Sequence, residues 1–243
     1  MHRRVTDAVG EATGRHAIVL AAGAGSRLLD MEPVKPMTLV AGRPLLLHVL
    51  DTLATAGARS ATVVTGHAAE AVAGTLIAAP IPAQAVFNGR WAETPNGVSL
   101  LAARAAVQKG TFLCMADHLL APQLAARLVA GAGDIPLALA VDRRLGHPWV
   151  DEADVTRVRT DGDAIRAIGK GISVYDAYDT GLFLIGPELV AVLDGLARPS
   201  LSDGVAALAR RDMARAVDVG DAPWLDVDDA RALILARTQW RAG

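Results

Sequence analysis

One cysteine, Cys114, is all that the 243 residues contain, so neither an intramolecular disulfide nor a thiolate metal cluster can be built from this chain, and a reducing, cytoplasmic setting is expected. Aromatic residues are scarce at 4%, which leaves few walls for a cage around a quaternary ammonium group. Neither charge is in excess: 24 Lys and Arg stand against 26 Asp and Glu, a net charge of −2, with the basic residues dispersed. A nucleic-acid partner needs a basic face to displace counterions from a phosphate backbone, so none is expected. No stretch approaches the roughly 18 uncharged apolar residues of a membrane span. The opening His2-Arg3-Arg4, followed by Asp7 and Glu11, lacks the apolar centre of a secretory signal. Direct membrane insertion is therefore not expected, and oligomeric state is left open, a homodimer included.

What is present is enough apolar material for a large core, 52% hydrophobic with 21% charged residues. Residues 1–14 read as a flexible lead-in and residues 15–243 as a single domain. Its strongest local signal is the apolar run Ala17-Ile18-Val19-Leu20-Ala21-Ala22, which breaks into Gly23-Ala24-Gly25-Ser26-Arg27 and is followed by Pro33-Val34-Lys35-Pro36. A buried strand feeding a phosphate-binding loop has this form. Gly23 and Gly25 permit positive φ and let backbone N–H groups converge on an anion. Arg27 and Lys35 add full charges, which stabilise the negative charge that develops when a triphosphate is attacked at its α-phosphorus. Spacing excludes two better-known loops: the dinucleotide fingerprint needs a small residue where Leu28 stands, and the P-loop's Gly-Lys-Ser/Thr is absent. A strand-end turn with incidental glycines is the competing reading; Lys35 between two prolines favours phosphate.

Downstream, apolar periodicity predicts a helix from Arg43-Pro44 to Gly57, a strand over 61–65, an Ala-rich helix after Gly66-His67, and a strand over 81–87. Strand and helix alternate at βαβ spacing, which predicts parallel pairing. Gly66 and His67 lie just past a strand end, where open α/β sheets place ligands. They are candidate nucleotide contacts, with a cap or surface role as the alternative for His67. The polar loop 88–99 opens another Ala-rich helix, so Asn96 and Ser99 are either nucleotide contacts or simple helix caps. Thr111-Phe-Leu-Cys-Met-Ala-Asp117 is an apolar strand ending in a carboxylate, suited to a hard divalent cation or to capping the next turn. Further on, residues 153–159 and 164–170 read as two strands around Asp161-Gly162, an antiparallel insertion. A strand over 175–185 containing Asp179-Thr180-Gly181 comes next, and the chain closes with Trp224-Leu-Asp226-Val-Asp228-Asp229.

Taken together, Leu20-Ala-Ala-Gly-Ala-Gly-Ser-Arg27, Pro33-Val-Lys35-Pro36, Met115-Ala-Asp117-His118, Asp179-Thr-Gly181 and Trp224-Leu-Asp-Val-Asp228 resemble the sugar-phosphate-type nucleotidyltransferases, most closely the inositol-1-phosphate and phosphocholine-type cytidylyltransferases. The resemblance implies a three-layer α/β/α, Rossmann-like GT-A nucleotidyltransferase fold with a mixed, mainly parallel sheet and an antiparallel hairpin insertion. It implies transfer of CMP from CTP to a small phosphorylated polyol or alcohol, with 1L-myo-inositol 1-phosphate first, and release of pyrophosphate. By the same match, Leu20 through Ser26 wrap the triphosphate, and Arg27 and Lys35 carry the transfer. Asn96 and Ser99 face the base and ribose. Asp117 and Asp228 hold Mg2+ with Asp226 on the same strand face, and Lys170 and Asp179 face the acceptor. Where the family has Thr this chain has Asp229, whose role the match leaves unassigned, as it does that of His118.

Phosphocholine and aminoalkylphosphonate transferases are near alternatives, Trp149, Tyr175 and Tyr178 being the aromatic residues available for a choline cage; sugar-1-phosphate transferases are further off. A catalytically silent nucleotide-sensing domain would share the fold, but the joint presence of Arg27, Lys35, Asp117 and Asp228 argues against it. A glycosyltransferase would show Asp-x-Asp where this chain has Asp117-His118-Leu119.

Overall fold

A computed structural model describes residues 14–25, 27–28 and 31–241. All of the expected lead-in but Gly14 lies outside these residues, as does Ser26. The strands are β1 (Arg15–Ala21), β2 (Leu39–Val40), β3 (Arg43–Pro44), β4 (Ala58–Thr65), β5 (Ala83–Phe87), β6 (Thr111–Met115), β7 (His118–Leu120), β8 (Leu137–Asp142), β9 (Arg157–Asp161), β10 (Ala164–Gly169), β11 (Ala177–Ile185), β12 (Ala214–Asp218) and β13 (Trp224–Asp226). The helices are α1 (Leu45–Thr55), α2 (Ala69–Thr75), α3 (Asn96–Ala102), α4 (Pro122–Gly131), α5 (Pro187–Asp194), α6 (Leu201–Ala209) and α7 (Ala230–Gln239).

Nine strands form one sheet in the order β5-β4-β1-β6-β11-β8-β12-β10-β9. Parallel ladders join β5, β4, β1 and β6, and β12 to β8, while β10 and β11 run against the other strands of this sheet. Period-two alternation in β1 explains the layering. Ala17, Val19 and Ala21 face a core shared with α1 and α4, whereas Ile18 and Leu20 face a core shared with α3, α5 and α6. The expected antiparallel insertion is β9–β10, turning at Gly162, whose φ is +60°. No helix among the described residues is long and apolar enough to cross a membrane.

Two features of the topology make room for a ligand. The chain builds outward from β1 through β4 to β5, then returns to place β6 on the other side of β1. This is the reversal in strand order at which open α/β sheets leave a crevice beyond their carboxyl ends, and Leu20 pairs with Met115 there. The second is the short antiparallel ribbon β7–β13, with His118 opposite Asp226. It packs with α7 in a separate apolar cluster of Leu119, Leu225, Val227 and Leu233.

Candidate active site

The loop leaving β1 is shaped around one lysine. Gly25 has φ +63°, and a Cβ on it would lie 2.8 Å from Lys35 Cβ, so glycine is required there for conformation and for space. Gly23, expected to share this role, has no positive φ, and no atom of the described residues lies within 4 Å of where its Cβ would stand. Lys35 opens a single 3-10 turn, Lys35–Met37, with Pro36 at its second position, and is only 5% exposed. From behind, His67 braces the loop: its N–H donates to the Ala22 carbonyl at 3.0 Å and its Nε2 is 3.0 Å from the Pro33 carbonyl oxygen. Gly66 is closed in by Ala22 and Trp91. Both residues therefore support the loop from outside, and neither lines the cavity of about 240 Å³ formed by Leu20, Ala21, Gly23, Gly25, Lys35 and their neighbours.

Across this cavity the β7–β13 ribbon delivers two carboxylates. The Val227 N–H donates to the Asp117 carbonyl at 3.0 Å, which sets Asp117 beside Asp228. Lys35 Nζ donates to Asp117 Oδ2 at 2.7 Å and also to Asp228 Oδ1. Asp228 Oδ2 accepts from Arg27, whose guanidinium reaches Asp154 Oδ2 at 2.7 Å, and Asp154 Oδ1 accepts from Lys170 at 2.6 Å. The result is an alternating chain of charges, Asp117–Lys35–Asp228–Arg27–Asp154–Lys170, drawn from six separate places in the sequence.

Arg27 and Asp228 also line a second cavity of about 200 Å³ beyond the chain of charges, so the two spaces meet at this pair. Its walls include Trp149, Lys170, Asp179, Gly181, Trp224 and Arg231. Asp179 sits where withdrawal from water lifts its carboxyl to about 6, even though the Gly181 N–H donates to it at 2.7 Å. Trp224 is oriented by donating its indole N–H to the buried Asp142 at 2.8 Å. Asp142 also binds Arg144, which clamps the loop after β8 against the Asp221 and Ala222 carbonyls.

The same region suits a divalent cation. Among the described residues Asp226 Oδ1 has no hydrogen-bond partner, and burial pushes this carboxyl above its ordinary range. An orphaned anionic oxygen is costly unless a cation completes it. Asp154, Asp226 and Asp228 bring carboxylate oxygens within 4.8 Å of one another, as Asp117, His118 and Asp226 do their ligand atoms. Burial alone would raise Asp117, but Lys35 and His118 hold it far below the carboxylate range; His118, which burial would lower, is raised to about 9 by Asp226 and Asp117.

Of the residues singled out in the sequence, Leu20, Ala21, Gly23, Gly25, Arg27, Lys35, Asp117 and Asp228 converge on the first cavity, and Asn96, Lys170, Asp179 and Asp226 on the second. Ala22 and Ala24 complete the loop. Ser99 is turned inward, buried and accepting from Asn88 Nδ2 at 3.1 Å. Neither Asn96 nor Ser99 caps α3, which Pro95 precedes; Asn96 Oδ1 instead accepts from Leu201 N–H at 2.9 Å. Asp229 caps α7, accepting from Ala232 N–H at 2.7 Å. Sequence reasoning gave no site role to Asp154, near the start of the hairpin segment, which the fold makes the partner of both Arg27 and Lys170.

The family model described as MobA-like NTP transferase domain matches residues 17–168. A protein of Rubrobacter xylanophilus named "Bifunctional IPC transferase and DIPP synthase" is 36% identical over 232 residues, 92% of this chain and 52% of the relative. The "CMP-5'-(3-aminopropyl)phosphonate synthase" of Streptomyces rubellomurinus is 31% identical over 249 residues, 94% of this chain and 39% of the relative. The chain thus spans about half the length of the first relative and less of the second. The solved "inositol-1-phosphate CTP transferase from T. maritima" superposes with a TM-score of 0.81, covering 94% of this chain and 98% of that one at 21% identity, a likeness of fold.

Proposed function

Because the chain belongs to the MobA-like NTP transferase domain family, we propose that it transfers the cytidylyl group of CTP to 1L-myo-inositol 1-phosphate with release of pyrophosphate, residues 15–243 acting as one transferase domain in the cytoplasm. The observation that carries the reading is the chain of charges joining the two cavities. It places Lys35 and Arg27 on the phosphate-loop side, Lys170 on the other, and carboxylates between them. The names of the Rubrobacter relative and of the T. maritima structure support the nucleotide and the acceptor.

In this reading Leu20 through Ser26 wrap the triphosphate, and the acceptor lies against Lys170 and Asp179. A phosphate monoester is largely dianionic near neutral pH, its second pKa being about 6, so its oxygen attacks the α-phosphorus without a general base. One P–O bond forms as the bond to the bridging oxygen breaks, and the pair of electrons leaves with pyrophosphate. Lys35, held in place by burial and Pro36, and Arg27 stabilise the charge on the departing oxygens. Displacing Asp228 and Asp154 from these cations is part of substrate binding. Asp117, Asp226 and Asp228 would hold Mg2+, which when bound supplies charge neutralisation and orientation of the phosphates.

The acceptor side favours a polyol. Its carboxylates, Asp151, Asp154 and Asp179, accept hydrogen bonds from hydroxyls. Trp149 and Trp224 line this cavity, but neither tyrosine completes a choline cage with them: Tyr178 is buried and bound to Glu152 and Gly146 N–H, and Tyr175 stacks under Arg157 at 4.7 Å. An aminoalkylphosphonate is the second reading, favoured by the same acids and by the Streptomyces relative. The test is pyrophosphate release with Mg2+, crossing the four NTPs against inositol 1-phosphate, phosphocholine, 2-aminoethylphosphonate and hexose 1-phosphates. Turnover that is highest with CTP and inositol 1-phosphate is expected; preference for another pair, or turnover with none, would refute the assignment.

A further inference from the structure

We infer that His118 is a positioning residue, a strut that fixes the Asp117 carboxylate and braces it against the acceptor-side strand at Gly181. The inference rests on the cytidylyl-transfer reading for what Asp117 faces, but its geometry is independent of the acceptor. His118 Nδ1 donates to Asp117 Oδ1 at 2.8 Å, while Oδ2 of the same carboxylate accepts from Lys35 at 2.7 Å. A carboxylate held on both oxygens by donors from different elements has its rotamer and plane determined, and such outer partners tune the groups they orient. The ring cannot retreat. Gly181 has φ +78°, and a Cβ built on it would lie 2.6 Å from His118 Nε2, so β11 accepts this imidazole because a glycine stands there. Gly181 is itself fixed, its N–H donating to Asp179 Oδ1 at 2.7 Å. The path Asp179–Gly181–His118–Asp117–Lys35 therefore links the acceptor cavity to the phosphate loop. Its donor role toward Asp117 leaves Nδ1 unavailable as a metal ligand.

Two amide substitutions separate the nitrogens of the ring: Asn places an amide nitrogen where Nδ1 stood, and Gln places one near Nε2. His118→Asn is expected to bind Mg·CTP and turn over within about threefold of wild type. His118→Gln is expected to lose about tenfold or more in affinity for Mg·CTP by titration calorimetry, as for loss of an outer-shell partner, with binding of CTP in EDTA unchanged. Thermal unfolding of each variant verifies folding. Equal behaviour of the two variants, or a Gln variant that matches wild type, overturns the inference and leaves the functional reading standing. If the Gln variant does not fold, a folded Asn variant that loses Mg·CTP affinity overturns it equally. Wild-type protein that fails to bind Mg·CTP removes the cytidylyl reading and the inference together.

Discussion

Replacing Lys35 with methionine keeps the stem of the side chain and deletes its charge from between two acids. Lys35 is 5% exposed, and the side chains of its partners Asp117 and Asp228 are 26% and 23% exposed. Breaking a fully buried ion pair costs about 3–5 kcal/mol. Partial solvation of both carboxylates reduces this, so a loss of about 2 kcal/mol is expected. For a chain of this size that corresponds to a fall in Tm of about 4–8 °C. The lost charge lies among carboxylates that suit a divalent cation, so millimolar Mg2+ is expected to restore part of the stability of Lys35→Met while changing wild type less, by linkage to binding in the folded state. Activity is not restored with it. Loss of a preorganised cation at the developing charge costs about 3–4 kcal/mol, or roughly a hundred- to a thousandfold in rate. Urea unfolding followed by circular dichroism with and without Mg2+, beside single-turnover pyrophosphate release, reads both effects. A variant as stable as wild type and indifferent to Mg2+ would refute the idea that Lys35 neutralises Asp117 and Asp228 in the ligand-free site.

The loop offers a paired test in its glycines. Gly25→Ala, at φ +63° and against Lys35, is expected to cost about 1–3 kcal/mol of stability and most of the turnover, whereas Gly23→Ala, with no atom of the described residues within 4 Å of its Cβ, is expected to leave urea stability unchanged. Ser99→Ala leaves Asn88 short of a partner, so stability should fall by about 1 kcal/mol with KM for CTP unchanged; a raised KM would return Ser99 to the nucleotide site. Asp142→Asn sets an amide N–H against donors from Arg144 and Trp224 and is expected to cost about 2 kcal/mol at neutral pH. Although burial opposes it, these donors hold the Asp142 carboxyl below its ordinary range. Its stabilisation is therefore full above the unfolded value near 4 and is lost as pH falls through the folded value. Acid unfolding curves of wild type and Asp142→Asn should converge below about pH 4; parallel curves would contradict this.

The sequence by itself determined the elements whose signal is local. The unbroken apolar run Ala17–Ala21 marks β1 as buried on both faces, the break at Gly23–Gly25 marks the loop, and Asp161-Gly162 marks the insertion. Period and turn chemistry are properties of neighbouring residues, so they survive without a fold. Family resemblance extended this to Asp117 and Asp228, which do meet at Lys35. Tertiary structure alone decided the rest. The ribbon β7–β13 is three residues long on each side, too short to carry a period, yet it sets Asp226 beside Asp117 and His118 on one hand and beside Asp154 and Asp228 on the other. Asp154 acquires meaning because folding brings Arg27 and Lys170 to it, and Asn96 and Ser99 turned to partners that helix-start rules cannot name. A hydrogen bond or ion pair between distant residues depends on register and layer packing, which are settled by the whole core and leave no trace in the residues on either side.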